Sequence, residues 1–226
     1  MAGPVPIPPE ILRPHEPVAE RVLLPGDPGR ALRLSTQLID GPRMLNHHRG
    51  LWGYSGPGTD GPPLTIQSTG LGGPSAAAVV AELVALGARR LVRVGTGAAL
   101  GATAAGAVVV VESALAYDGA SRALGAGERV AGDRALTAAL ARAADVAPAP
   151  IASADIHDPV LAARWAAAGA VACDLTTAAV LAAAARGGAA GAALIGITRA
   201  GGERLEGDAL EALERRLGAA ALAALG

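Results

Sequence analysis

Two short glycine-containing segments of this sequence combine residue types that bind small anions. PGDPGR contains Gly26 and Arg30, and RVGTG contains Arg93 and Thr96. A glycine lets the backbone approach a ligand closely, while arginine is a permanent cation that can donate paired hydrogen bonds. Threonine adds a hydroxyl donor. These four residues are therefore candidate phosphate ligands. For the first segment, the alternative is an ordinary turn between a strand and a helix.

These residues need elements that bring strand ends together. Leu64 to Ser68 predicts a strand, and a glycine-rich turn follows it. A helix is predicted from Pro74 to Leu86, because proline suits a first helical turn and Gly87 stands just past its end. A second buried strand, Leu91 to Val94, then ends in the GTG loop. Ligands bind at the carboxyl ends of strands in such strand–helix–strand units.

Strands and helices alternate along the rest of the chain. This pattern predicts one α/β domain over residues 1–226, with three αβα layers and a mixed central sheet covered on both faces. The proline-rich residues 1–18 predict an extended arm. Asn46 to Gly56 predicts a strand that enters a hairpin. Arg49 on that strand could also be only a solvated edge charge.

Composition excludes several classes of function. The 226 residues carry a formal charge of −1, which gives no basic footprint for nucleic acid. All basic residues are arginine, so no Schiff-base or Walker-type lysine exists. The single cysteine, Cys173, excludes an internal disulfide. No metal cluster, cofactor motif, signal peptide or membrane span is visible, and a cytoplasmic location is expected.

The order of the motifs resembles one family. LLPGDPGRA, NHHRG, STGLGGPSAAAVVAELVALGARRLVRVGT, DGAS and SAD follow one another as in the nucleoside phosphorylases of the uridine and hexameric purine type. STGLGGPS, DGAS and ITRAGGE are most similar to the uridine branch. The resemblance implies a nucleoside phosphorylase-like fold and phosphorolysis, in which phosphate attacks the anomeric carbon of a nucleoside. Free base and pentose 1-phosphate result, with inorganic phosphate as co-substrate and no other cofactor.

The resemblance assigns a phosphate-binding role to five residues. Gly26, Arg30, Arg93 and Thr96 match the family's phosphate ligands. Arg49 matches the arginine that one subunit lends to the phosphate of its neighbour. A monomer would then lack a complete site, so the resemblance implies a homo-oligomer, at least a dimer. Relatives assemble as hexamers made of three dimers.

On the sugar side the chain departs from the family pattern. Ala172, Cys173 and Asp174 stand where the family has Glu-Met-Glu, whose carboxylate binds the sugar hydroxyls. By resemblance, Cys173, Asp174 and Thr96 face the nucleoside, although the Asp174 carboxylate is one methylene shorter. The alternative for Asp174 is an N-cap of the helix that starts near Thr176.

On the base side, two residues match positions that contact the base. His157 stands where relatives have a stacking phenylalanine, and Arg199 stands where the uridine branch holds a pyrimidine carbonyl. Arg93 and Arg199 are therefore the candidate catalytic residues, and a pyrimidine nucleoside is the expected substrate. Alternatively, His157 is a surface-loop histidine, and Arg199 forms a surface ion pair with Glu203.

Two other functions compete with phosphorolysis. Hydrolytic relatives of this fold tend to lose the phosphate arginines and gain a glutamate that activates water, whereas this chain retains the arginines. A repurposed, non-catalytic protein that binds a phosphorylated small molecule is the second alternative. The loss of Glu-Met-Glu motivates it.

Overall fold

A mixed β-sheet runs through the centre of the computed structural model, which describes residues 10–226. Its strands are β1 (Arg21–Pro25), β2 (Arg43–Asn46), β3 (Gly53–Pro57), β4 (Pro63–Gln67), β5 (Arg90–Ala99), β6 (Val108–Tyr117), β7 (Arg129–Ala131), β8 (Ala149–Ala154), β9 (Ala172–Asp174), β10 (Ala190–Ala200) and β11 (Glu203–Arg204). The helices are α1 (Pro28–Leu38), α2 (Gly72–Ala85), α3 (Gly119–Ala123), α4 (Arg134–Ala144), α5 (Pro159–Ala167), α6 (Thr177–Arg186) and α7 (Gly207–Leu225). None of these helices is long and apolar enough to cross a membrane.

The sheet contains both parallel and antiparallel pairs. β1 lies between β4 and β5 and is parallel to both. β3 pairs antiparallel with β4 and with β2, which confirms the predicted hairpin. The predicted α/β class with a mixed central sheet is therefore confirmed.

Half of the sheet closes on itself. β10 pairs with β5 and β6, β6 pairs with β8, β8 with β9, and β9 returns to β5. These five strands form a small closed barrel that continues into the open β1–β4–β3–β2 sheet. Because the barrel is closed, β5 is bordered by both β10 and β9 near its carboxyl end. Side chains from β9 and β10 therefore meet those of β5 there.

Apolar side chains alternate between the two faces of the open sheet. Leu23 and Val92 belong to one buried cluster, which includes side chains of α1, α4 and α7. Val22, Leu24 and Leu91 belong to another cluster, covered by α2 and α6. Neighbouring residues of a strand point to opposite faces, so helices on both sides are needed to bury these apolar residues.

Two predicted boundaries were wrong. Asn46 to Gly56 is not one strand, because a 3₁₀ turn at His48–Gly50 interrupts it; Arg49 has φ 59° and Gly50 has φ 70° there. The GTG segment is not a loop. It lies inside β5, since β10 continues to pair with it as far as Gly97 and beyond. Local glycine content favoured a turn, and pairing with a distant strand overrode that preference.

The predicted N-terminal arm is only partly described, since residues 1–9 lie outside the described part. Residues 10–18 contain no helix or strand. The Glu82 carboxylate accepts hydrogen bonds from the backbone N–H groups of Glu10, Ile11 and Leu12 at 2.7–2.8 Å. This contact fixes the arm to α2. The assignment of residues 1–226 to one domain stays a prediction.

Candidate active site

A cavity of about 410 Å³ lies where β1 ends beside the middle of β5 and where α1 and α6 begin. The register pairs Leu24 with Arg93, which places Gly26 next to the Arg93 side chain. The cavity brings together eight of the nine sequence-predicted site residues, namely Gly26, Arg30, Arg93, Thr96, His157, Cys173, Asp174 and Arg199. The ninth, Arg49, does not line it. Their roles as ligands stay predictions.

A buried ion pair lies at the floor of the cavity. Arg93 Nε and Nη2 donate to Asp174 Oδ2 at 3.1 and 2.9 Å, and Nε also donates to Thr177 Oγ1 at 3.1 Å. Only 5% of the Arg93 side chain and 1% of the Asp174 side chain are exposed. Such a pair depends on good geometry, because both charges have left water. Asp174 therefore fixes the orientation of the Arg93 guanidinium.

One nitrogen of Arg93 remains free. Nη1 is buried and has no hydrogen-bond partner among the described residues. A Cβ added at Gly26 would lie 3.9 Å from this nitrogen, so the missing side chain leaves the space beside it unfilled. Buried donors are almost always paired in native structures. An unpaired guanidinium N–H next to a cavity therefore favours a bound anion.

Most of the surroundings of Arg93 disfavour its positive charge, and Asp174 favours it. Burial lowers the pKa of the Arg93 guanidinium and nearby Arg30 lowers it further, whereas Asp174 opposes both effects. An arginine still keeps its proton at neutral pH. A second anion in the cavity would relieve the repulsion between the two guanidinium groups.

Two glycines of β5 leave room for this arrangement. A Cβ at Gly95 would lie 2.8 Å from Arg93 Nη2, and a Cβ at Gly97 would lie 2.6 Å from the carbonyl oxygen of Cys173. Real Cβ atoms do not approach other atoms so closely. Gly95 thus leaves room for the Arg93 guanidinium, and Gly97 lets β9 approach β5 closely at Cys173.

The contacts of Asp174 differ from its predicted sugar role. Oδ1 accepts from Ser153 Oγ at 2.6 Å and from two backbone N–H groups at the start of α6. Oδ2 accepts from Arg93 and from Thr177 Oγ1 at 2.7 Å. The helix-capping alternative describes these contacts. In this conformation no lone pair of the carboxylate is left for a sugar hydroxyl, and the sugar role of Asp174 stays a prediction.

Arg30 is also held by a carboxylate, one that sequence reasoning missed. Arg30 Nε donates to Glu214 Oε1 at 2.7 Å, and Arg30 Nη2 lies 3.4 Å from Thr96 Oγ1. Asp27 caps α1 by accepting from the Arg30 backbone N–H at 2.7 Å. Glu214 lies on the apolar face of α7 between Leu213 and Leu217. A carboxylate on the apolar face of an amphipathic helix is the sequence feature that could have indicated a buried partner for an arginine.

The opposite wall of the cavity combines a thiol, an imidazole and a guanidinium. Cys173 Sγ lies 3.7 Å from His157 Nδ1. Burial raises the pKa of the Cys173 thiol, as does Asp174, while Arg199 lowers it. The thiol is therefore neutral near pH 7. Arg199 is exposed and forms no ion pair within residues 10–226, so the alternative of a surface pair with Glu203 is not observed.

Arg49 lies outside the cavity lining. It is exposed on the 3₁₀ turn, beside His47, whose ring stacks on His15 at a centroid distance of 5.6 Å. The solvated-charge alternative fits a single chain. The cross-subunit role of Arg49 stays a prediction.

Comparison with known proteins identifies the family. A model described as "Phosphorylase superfamily" matches residues 20–225, which is nearly the whole described chain. The chain belongs to the phosphorylase superfamily.

Several curated members of the phosphorylase superfamily are similar to this chain. A uridine phosphorylase of Treponema pallidum is 37% identical over 130 residues, covering 57% of this chain and 50% of the relative. A uridine phosphorylase of Thermococcus kodakarensis is 40% identical over 106 residues, or 46% and 38% of the two chains. A DeoD-type purine nucleoside phosphorylase of Oceanobacillus iheyensis is 39% identical over 80 residues, or 35% and 34%. The matched part thus spans half or less of each relative.

Proposed function

We propose that this chain catalyses phosphorolysis of the N-glycosidic bond of a pyrimidine nucleoside, which gives free base and pentose 1-phosphate. The observation that carries the proposal is the buried Arg93 guanidinium, which is oriented by Asp174 and has Nη1 unpaired beside the cavity. Relatives named both uridine and purine nucleoside phosphorylase support the reaction type. The preference for pyrimidines depends on Arg199.

The phosphate side of the proposed site uses residues from the end of β1, the first turn of α1 and the middle of β5. Arg93 offers its free Nη1, Arg30 offers the guanidinium edge near Thr96, and Gly26 leaves space for the oxygens. Preorganised donors stabilise a developing charge without reorganising during the reaction. Holding the phosphate in place also makes its attack effectively intramolecular.

The chemistry needs charge stabilisation on two sides. A phosphate oxygen forms a bond to the anomeric carbon as the bond from that carbon to the base nitrogen breaks. The bonding electrons leave with the base, and the sugar carries positive charge in the transition state. Arg199 would stabilise the negative charge that develops on a base carbonyl, with His157 beside the ring. Phosphate would face the cationic sugar from the Arg93 side.

A direct assay tests this proposal. Release of uracil from uridine is followed by chromatography with and without inorganic phosphate, and inosine replaces uridine as the purine substrate. Arg93→Ala is expected to abolish release, because it removes the guanidinium that we assign to phosphate. Arg89→Ala is the matched control, since Arg89 is exposed and its guanidinium hydrogen-bonds only to backbone carbonyls within the described part of the chain. Its activity should stay within about twofold of wild type.

The same assay separates the competing functions. Uracil release without phosphate would replace phosphorolysis by hydrolysis. Binding of ribose 1-phosphate without any turnover, measured by calorimetry, would favour the repurposed binding protein. Faster turnover of inosine than of uridine would overturn the pyrimidine preference and leave phosphorolysis intact.

We further propose that the active form is a homo-oligomer, at least a dimer and by resemblance a hexamer. Arg49 is exposed on one chain, and the cavity mouth carries Leu71 and Ile156, which are 85% and 70% exposed. A test mixes Arg49→Ala with Arg93→Ala under conditions that exchange subunits. If Arg49 completes a neighbour's site, the inactive variants regain activity when mixed. No regained activity despite exchange would refute the shared site.

A further inference from the structure

One carboxylate on the C-terminal helix holds two arginines at once. Glu214 Oε1 accepts from Arg30 Nε at 2.7 Å. Oε2 accepts from Arg33 Nε and Nη2 at 2.9 and 2.7 Å. The Glu214 side chain is only 3% exposed, whereas that of Arg33 is 45% exposed. Glu214 thus lies between a buried cation next to the cavity and a half-exposed cation on its outer side.

We propose that Glu214 is the positioning residue that aims Arg30 at phosphate. This role rests on the proposed function. Arg30 emerges from the first turn of α1, and its side chain has many rotamers that would miss the cavity. The bond from Nε to Glu214 fixes one edge of the guanidinium and leaves Nη2 near Thr96. Arg33 in turn fixes the second carboxylate oxygen.

Glu214 affects phosphate binding in two opposite ways. Its negative charge competes with phosphate for Arg30, so loss of the charge alone should strengthen anion binding. Loss of the orientation of Arg30 should weaken binding, because a mobile arginine must be ordered when phosphate binds. A positioning residue and a mere counter-ion therefore give effects of opposite sign. The sign distinguishes the two roles.

The experiment compares Glu214→Gln with Glu211→Gln. Both substitutions remove one negative charge from α7, but Glu211 is exposed, and within residues 10–226 its one ion pair is with Arg215 at 3.8 Å. Isothermal calorimetry with inorganic phosphate gives the dissociation constant, and phosphorolysis of uridine gives KM for each substrate. Glu214→Gln should weaken phosphate binding and raise the phosphate KM about tenfold, because it loses a charge-assisted bond. The uridine KM should change less than about threefold, and Glu211→Gln should change neither constant beyond about twofold.

Each result decides the proposal. Unchanged or tighter phosphate binding by folded Glu214→Gln overturns it, even when phosphorolysis by the wild type is normal. Equal rises in the KM of both substrates would also overturn it, since a general structural defect is then sufficient. If the wild type binds no phosphate, this proposal and the proposed function fail together.

A second variant covers the case in which Glu214→Gln does not fold. Glu214→Asp keeps the charge but shortens the side chain by one methylene, so it cannot reach Arg30 and Arg33 in the observed geometry. We expect its phosphate affinity to fall at least about fivefold while its net charge stays that of the wild type. Wild-type phosphate affinity in folded Glu214→Asp would overturn the positioning role.

Discussion

Replacing Asp174 by asparagine should destabilise the fold strongly, because it breaks the ion pair at the cavity floor. Oδ2 of Asp174 accepts two bonds from Arg93 and one from Thr177 Oγ1. An amide nitrogen in its place would present a donor to these donors. Removing one partner of a buried pair leaves an uncompensated charge, which costs about 3–5 kcal/mol.

Asp133→Asn is the matched control for this substitution. Asp133 caps α4 by accepting from the Leu136 backbone N–H at 2.9 Å, and no ion pair involves it in the described chain. Asparagine caps helices about as well as aspartate, so the cost should stay below about 0.5 kcal/mol. The difference between the two variants therefore isolates the ion pair from the loss of a helix cap.

Urea unfolding at pH 7 measures the free energy of unfolding of both variants, and thermal unfolding measures their Tm. A loss of about 3 kcal/mol in the free energy of unfolding should lower Tm by roughly 6–12 °C for a chain of this size. The dependence on urea concentration should keep its slope, since little surface changes. The free energy of unfolding should fall by at least about 1 kcal/mol more for Asp174→Asn than for Asp133→Asn. A smaller difference would show that the ion pair does not hold Arg93 as described.

A double-mutant cycle with Arg93→Met tests whether the cost belongs to the pair. Once Arg93 is gone, Asp174→Asn should cost at least about 2 kcal/mol less than it does in the wild type, because no buried cation is left unpaired. Equal costs in both backgrounds would assign the effect to Ser153 and the start of α6, which also bind Asp174.

Three other predictions follow from the site and its surroundings. Cys173 is the single cysteine, and its raised pKa predicts slow alkylation by iodoacetamide at pH 7 and faster alkylation above about pH 9; rapid labelling at pH 7, followed by mass spectrometry, would contradict this. Arg21 lowers the pKa of Asp60, so the stability that Asp60 contributes is present above about pH 3.8 and is lost as pH falls through the lower folded value. Asp60→Asn should thus reduce Tm at pH 6 and reduce it progressively less as pH falls below about 3.8, and an effect on Tm that does not depend on pH would contradict the linkage. Uridine and 2′-deoxyuridine should have kcat/KM values within about threefold, because Asp174 has no free lone pair; a preference for uridine of more than about tenfold would indicate a charged acceptor.

The sequence predicted the framework of the site well where the signals are local. Gly87 stands just past the end of α2, as predicted, and the apolar run Leu91 to Val94 indicated a buried strand, which lies in β5. Glycine and proline restrict the backbone wherever they stand, and apolar periodicity reports burial directly. PGDPGR and RVGTG were correctly placed next to each other, because β1 is parallel to β5 and ends beside Val94.

The partners of the charged residues could not be predicted in the same way. Arg93 and Asp174 are 81 positions apart, and Arg30 and Glu214 are 184 positions apart. Local pattern carries no information on which distant charge completes an ion pair. For the same reason the sugar role of Asp174 was predicted only from its match to a glutamate of the family. In the structure the shorter aspartate side chain contacts Arg93 and the start of α6.

What the sequence alone determined is the α/β alternation, the family and the presence of Arg30 and Arg93 in glycine-containing segments. The tertiary structure decided how those arginines are held. Closure of β5, β9, β8, β6 and β10 into a barrel brings Asp174 under Arg93, and packing of α7 against α1, β10, β5 and β1 brings Glu214 to Arg30. Both arginines are thus oriented by carboxylates that only long-range strand pairing and helix packing place beside them.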